Sequence, residues 1–198
     1  MRIKETKVYP FGELSDDVKQ EVVEDMADIN VDYDWWYDYD DKKEIVKLMG
    51  IDIDNIYFSG FSSQGDGACF EGSYEYRKGC VKAIMDYAPK DTELHRIIKE
   101  LQSIQKKCFY SAKASVKQSG HYMHKYCTEI SVDFENRNTS IDYYNQEHEE
   151  NITELLRDYM EWIYRSLEKD YEYLTSEKAI IETIEANEYE FTADGKLQ

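Results

Sequence analysis

Residues 56–76, IYFSGFSSQGDGACFEGSYEY, decide the fold. Two aromatic-rich runs flank Gly65, Asp66 and Gly67, and extended runs parted by residues that accept tight turns are the signature of a β-hairpin. Acidic helical patterns precede this stretch, and helices alternating with strands follow it. The hairpin therefore predicts a sheet on which helices pack. The expected fold class is α+β: an antiparallel sheet of four or more strands with its central hairpin at 56–76, packed by N- and C-terminal helices.

Moving outward toward the N-terminus, Ile45, Val46, Leu48 and Met49 recur at helical spacing from Lys42 on, and Gly50 occupies the stop position. Residues 31–41, VDYDWWYDYDD, crowd five aspartates among Tyr33, Trp35, Trp36, Tyr37 and Tyr39. Before them Ser15 sits where an N-cap belongs, with Asp16 and Asp17 at the positive end of the helix dipole. Val18, Val22, Met26 and Ile29 form the buried stripe of that helix, and Asp17, Glu21, Glu24 and Asp28 fall on its other side. Residues 2–9 alternate as a short strand closed by Pro10.

Toward the C-terminus, a short helix is expected over 78–87, ended by Ala88-Pro89. Asp91 or Thr92 caps a longer one to Lys107, its core positions being Leu94, Ile97, Ile98, Leu101 and Ile104. Strands follow at 109–117 and 126–134, and the alternation of the second predicts that one sheet face is wet. After a polar loop at 136–146, the longest helix runs from Glu149 to about Tyr173. Its core face is Ile152, Leu155, Leu156, Tyr159, Ile163 and Leu167. Ser176 opens a last helix through Ile180, Ile181 and Ile184, and 188–192 reads as a final strand. With 198 residues, two prolines, nine glycines and no linker, the chain is expected to be one domain with an acidic helical part at 13–50, a sheet-bearing centre at 51–135 and an acidic helical part at 147–198.

Charge narrows the function classes. The chain carries 42 acidic and 24 basic residues, a net charge of −18, which repels nucleic acid and anionic lipid and favours a basic partner. Residues 13–54 hold 15 acidic and 4 basic side chains and residues 147–198 hold 15 and 5, whereas 55–146 hold 11 and 12. Four carboxylates between positions 17 and 28 of one helix would span about 16 Å, or roughly 4 Å of axis per charge, comparable to the phosphate spacing of about 3.4 Å along a DNA strand. Such a row suits the basic groove of a nucleic-acid-binding protein; the plainer alternative is a solvated face. The expected contact surface is Asp17, Glu21, Glu24, Asp28, Asp34, Trp35, Trp36 and Asp38, the tryptophans serving as anchors.

Other motifs compete less well. His121, His124 and Cys127 have ligand-competent side chains in an HxxHxxC spacing, which opens the alternative of a zinc-binding module or metal-dependent enzyme. Surface histidines beside a buried thiol are the preferred account, so no metal and no cofactor is expected. The aspartates of 32–41 lack the glycine and terminal glutamate of a calcium loop. SSQGDGA lacks the Lys-Ser/Thr pair of a phosphate loop, and Asp66 would repel a phosphate, so Gln64 and Asp66 are expected to satisfy nearby backbone groups of a turn. No nucleophile stands beside an evident base, and a non-enzymatic protein is expected. Cys69, Cys80, Cys108 and Cys127 form no CxxC pair and are read as reduced thiols of a cytoplasmic protein, with no apolar run of membrane length.

The segments LSDDVKQEVVEDMADINVDYDWW, MGIDIDNIYFSGFSSQGDGACFEGSYEY, YAPKDTELHRIIKELQSIQKK and LTSEKAIIETIEANEYEFTADGKL resemble a family of small acidic proteins carried by phages and prophages. Its members are labelled antitoxins of a toxin-antitoxin stability system or are left without a function. The resemblance implies expression in a bacterial cytoplasm from a mobile element. The expectation is a phage or prophage binding protein that inhibits a host defence or nucleic-acid-processing protein, with DNA mimicry as one route. The alternative is an antitoxin that neutralises a cognate toxin. Either way the partner is a host or mobile-element protein with a basic surface, without direct nucleic-acid or membrane binding.

Overall fold

In chain order the elements are β1 (Tyr9–Pro10), α1 (Asp16–Asp25), α2 (Tyr39–Met49), β2 (Ile51–Phe58), β3 (Ala68–Glu75), α3 (Cys80–Tyr87), α4 (Thr92–Lys107), β4 (Ala112–Gln118), β5 (Thr128–Phe134), α5 (Asp142–Leu174), α6 (Glu177–Ala186) and β6 (Glu190–Phe191). This computed structural model describes residues 5–32, 35, 39–135 and 142–198, except for the side chains of 39–41 and 142–145. The fold is α+β, as expected: a four-stranded antiparallel sheet in the order β2-β3-β4-β5, a two-stranded sheet of β1 and β6, and helices. The chain divides into two compact units, one of residues 38–167 and one of residues 1–37 with 168–198.

The larger unit is built on the hairpin. Its first arm begins five residues before the sequence signature and its second ends one residue short of it, pairing from Phe58↔Ala68 back to Ile51↔Tyr74, with a bulge between Ile53 and Asn55. Opposite that bulge Gly72 lies so close to β2 that a Cβ would stand 2.0 Å from the Asp52 carbonyl oxygen. Gly50 is constrained in the same way. At φ +87 it ends α2 in the left-handed conformation glycine accepts, and its carbonyl takes the Glu75 N–H at 2.9 Å, opening the sheet. The hairpin connection is a loop over 59–67, closed by the Ser59 N–H on the Gly67 carbonyl. Asp66 Oδ2 accepts the N–H groups of Ser62 and Ser63 at 3.0 and 2.6 Å. Phe61, stacked between Phe58 and Tyr164, holds the loop to α5.

The sheet is dry on one side. Along β4 burial alternates strictly, with Ala112, Ala114 and Val116 in and Lys113, Ser115 and Lys117 out. Over the dry side lie the predicted stripes of α4 and α5, every named position of which is buried. Phe70 meets Tyr159 edge-on at 5.9 Å, and Gln105 donates through Nε2 to the Ala112 carbonyl and the Tyr74 hydroxyl. Asp91 caps α4 through Oδ1 on the Leu94 N–H while its Oδ2 takes the Trp162 indole N–H of α5 at 2.8 Å. Both helices are thus indexed to the sheet and to each other.

The smaller unit encloses its own core of Phe11, Leu14, Val22, Ile180, Ile184 and Phe191. Buried Asn30 donates to the Leu174 carbonyl at 2.9 Å and accepts the Thr183 hydroxyl at 2.7 Å. Gly195, at φ +80, lies against α1, where an added Cβ would come within 3.1 Å of Val18 and Val22. The expected strand at 2–9 is reduced to Tyr9–Pro10 among the described residues. Its partner β6 is only two residues long, because Thr192 and Lys196 close a turn immediately after it. No helix among the described residues is long and apolar enough to cross a membrane.

Three boundaries differ from expectation for local reasons. The chain from Phe109 to Ser111 is a helix terminus rather than a strand. Tyr110 N–H bonds the Gln105 carbonyl and Phe109 N–H that of Lys106, the double closure of a Schellman motif, with φ of +54 and +60 at Phe109 and Tyr110. α5 starts at Asp142, within the expected polar loop. α1 stops at Asp25, and turns carry residues 26–32 to the position where Asn30 makes its bonds.

Two outcomes follow for stability. Gly72→Ala should cost about 3 kcal/mol, because the clash is with backbone that cannot give way without opening the bulge; denaturant unfolding measures it. His148 on α5 is 2 % exposed, and burial, with Lys107 adding and Glu147 opposing, holds its pKa below the ordinary 6.5. The unfolded chain therefore takes up this proton first. Stability present above pH 6.5 should fall as pH drops below it toward the depressed folded value, and His148→Gln should flatten that part of the pH profile.

Candidate functional site

The candidate site is the acidic face of α1. Ser15 has the extended backbone of an N-cap, without a side-chain bond to the helix, and Asp16 and Asp17 fill the first turn. Val22 turns inward and is 1 % exposed, which forces the residues a half-turn away outward. Asp17, Glu21 and Glu24 are exposed on one arc of the helix, spanning about 10 Å of its axis. Asp28 is exposed too, but it stands on the turns after α1. The single row of four carboxylates along one helix is therefore corrected to three, with the fourth on non-helical backbone.

These carboxylates are not consumed by the protein's own cations. Glu24 takes a hydrogen bond from Gln20 at 3.1 Å, and among the described residues none of Asp17, Glu21, Glu24 and Asp28 forms an ion pair. Their neighbour Asp16 has Lys19 at 4.0 Å. The larger unit behaves differently. Arg96 binds Glu93, Glu100 and Asp158, Lys113 lies between Glu75 and Glu135, and Glu161 holds both Lys125 and Arg165. By sequence the smaller unit has 19 acidic and 7 basic residues, net −12, and the larger one 23 and 17, net −6. The two acidic ends of the chain thus supply most of the charge of one unit.

The remaining expected contact residues divide. Trp35 is half-buried and packs against Tyr171, ring centroids 5.8 Å apart, so part of its surface is taken up within the smaller unit. Asp34, Trp36 and Asp38 lie outside the described residues. The sequence reading did not single out Glu177. It comes to the site because α6 packs on α1 through the shared core, a juxtaposition for which residues so far apart in the chain carry no local signal.

His121 is exposed, and His124 and Cys127 belong to a hydrogen-bonded turn. The His124 ring stacks on Tyr126, its Nδ1 accepting the Tyr126 N–H at 3.2 Å, while the Cys127 N–H closes on the His124 carbonyl at 2.7 Å. Among the described residues no three or more His, Cys, Asp or Glu side chains form a group able to hold a metal ion. All four cysteines are free thiols. Burial pushes the Cys69 thiol up to about 12, far from the range of a reactive thiolate.

The scaffold and the charge together define an acidic α+β protein. A family model described as a domain of unknown function (DUF8835) matches residues 35–177, and the chain belongs to that family. The matched span contains the four-stranded sheet and its covering helices but not α1. No curated protein and no solved structure matches the chain.

An unpaired acidic face supplies little to folding and adds self-repulsion. The Glu21→Gln/Glu24→Gln double variant should therefore unfold within about 0.5 kcal/mol of wild type, or later than it. A loss above about 1 kcal/mol in denaturant unfolding would give these residues a structural role instead.

Proposed function

We propose that the protein acts by binding, as a non-enzymatic partner for a basic surface on another protein. The observation that carries this reading is a local contrast in pairing: in the larger unit Arg96, Lys113 and Glu161 each gather two or more opposite charges, while Asp17, Glu21, Glu24 and Asp28 stand exposed without ion pairs among the described residues. Such a surface steers cationic partners from a distance and strengthens their encounter at low salt. Three carboxylates about 5 Å apart along a helix axis also resemble a short length of nucleic-acid backbone, so a nucleic-acid-binding groove is a suitable target.

The resemblance to phage and prophage proteins supports placing the partner in a bacterial cell, as a host defence or nucleic-acid-processing protein that this chain inhibits. A pull-down from bacterial lysate with wild type and with Glu21→Lys/Glu24→Lys tests the proposal. Wild type should capture a protein with a basic surface, and the reversal should weaken that binding about tenfold while the variant keeps its circular dichroism spectrum. Binding that is unchanged by the reversal and by salt would refute it.

A further inference from the structure

We propose that the cleft between α1 and α6 seats an arginine side chain from a basic segment of the partner; this rests on the binding reading above and gives it a location. The cleft, of about 550 Å³, is built wholly by the smaller unit. Its floor is apolar. Phe11 belongs to the core, while Val23 and Ile181 pack against that core and remain partly exposed. Its rim is anionic: Asp16 and Glu24 come from α1, and Glu177 from the first turn of α6. Lys19 also lines it, so three acids and one base leave the rim at −2.

An occupant must satisfy both parts. A purely apolar side chain would desolvate the rim carboxylates without pairing them, and an anion would be repelled. Arginine fits both, since its methylenes can cover Val23 and Ile181 while the guanidinium reaches the carboxylates. Its weak hydration and its fork of donors favour it over lysine at a partly desolvated rim. The cleft volume lies within the range of small-ligand pockets and accommodates such a side chain with adjoining backbone. Beside the cleft, the exposed Asp17 and Glu21 continue the negative surface, so basic residues flanking the seated arginine also find partners.

The test is a titration of the full chain, isotope-labelled for NMR, with a peptide alternating arginine and leucine, and with the same peptide carrying lysine at each arginine. Ile181→Trp fills the cleft without changing charge, and Glu21→Lys changes charge on the helix crest outside it. The arginine peptide should shift the Val23 and Ile181 amides and bind more tightly than the lysine peptide. Its affinity should fall about tenfold in Ile181→Trp and only about threefold in Glu21→Lys. Equal binding of the two peptides overturns the arginine assignment. A folded Ile181→Trp that binds as wild type does overturns the cleft; if Glu21→Lys still weakens binding, the acidic-surface reading stands, and if neither variant does, both fall. Should Ile181→Trp fail to fold, the exposed Glu177→Gln replaces it, with about threefold weaker binding expected and unchanged affinity overturning the cleft.

Discussion

A sheet that is apolar on one face only has to be covered on that face, and the architecture of the larger unit follows from this constraint. Ile51 and Ile53 of β2, Phe70 and Tyr74 of β3, and Ala112, Ala114 and Val116 of β4 are buried, while Asp52, Ser73, Lys113, Ser115 and Lys117 face water. Burying such a face is the main favourable term in folding. It fixes strand register as well, because a slip by one residue would exchange the faces. The register in turn demands the two glycines. At Gly50 and Gly72 the backbones approach so closely that a Cβ would sit 2.0 Å from a carbonyl oxygen of the opposite strand. Gln105 and Asp91 then make polar ties that hold α4 and α5 at definite positions over this face.

The parts of this design written in local pattern were legible. Alternation found the wet face, every core position that helical spacing named in α4 and α5 is buried although Gln105, His148 and Met160 were missed, and the caps at Asp91 and Ser176 bond the Leu94 and Ala179 N–H groups as their chemistry suggests. What escaped was decided by distant residues or by departures from the usual cue. Phe109 occupies the helix-ending position where glycine is expected, so the sequence offered aromatic character in place of a stop signal, and a strand was inferred from it. The first turns of α5 carry polar residues without an apolar stripe. In α1 the apolar spacing ran on to Ile29, yet the chain left the helix at Asp25 because Asn30 is bonded to Leu174 and Thr183, residues remote in sequence.

The same division holds for the site. Asp17, Glu21 and Glu24 could be assigned to one face because helical geometry is local. Glu177 could not, because it joins them only through the packing of α6 on α1. For Trp35 the aromatic signal was real, but composition does not distinguish an anchor offered to a partner from a ring packed on its own Tyr171. The turn histidines make a related point: HxxHxxC has a ligand-like spacing, and here the backbone between His124 and Cys127 closes into a hydrogen-bonded turn.

Charge and core size are distributed in opposite senses between the units. The smaller one carries net −12 on a cluster of six buried apolar residues, reinforced by Asn30, the two-residue β1–β6 pairing and the close seat of Gly195 on α1. Its turn at Thr192–Lys196 also depends on a carboxylate. Lys196 and the Thr192 hydroxyl hold Asp194 down at about 2, so the turn keeps this anion at any ordinary pH. Self-repulsion among the remaining acids opposes compaction where the apolar driving force is least. Surface pairing relieves it at Asp16, which has Lys19 at 4.0 Å, but among the described residues not at Asp17, Glu21 or Glu24. A cationic partner would supply the missing counter-charge, and by mass action whatever binds the folded unit stabilises it. The electrostatic penalty carried in isolation would then become part of the affinity of the proposed complex, which would be a physical reason for an acidic face to stay unpaired in the free protein.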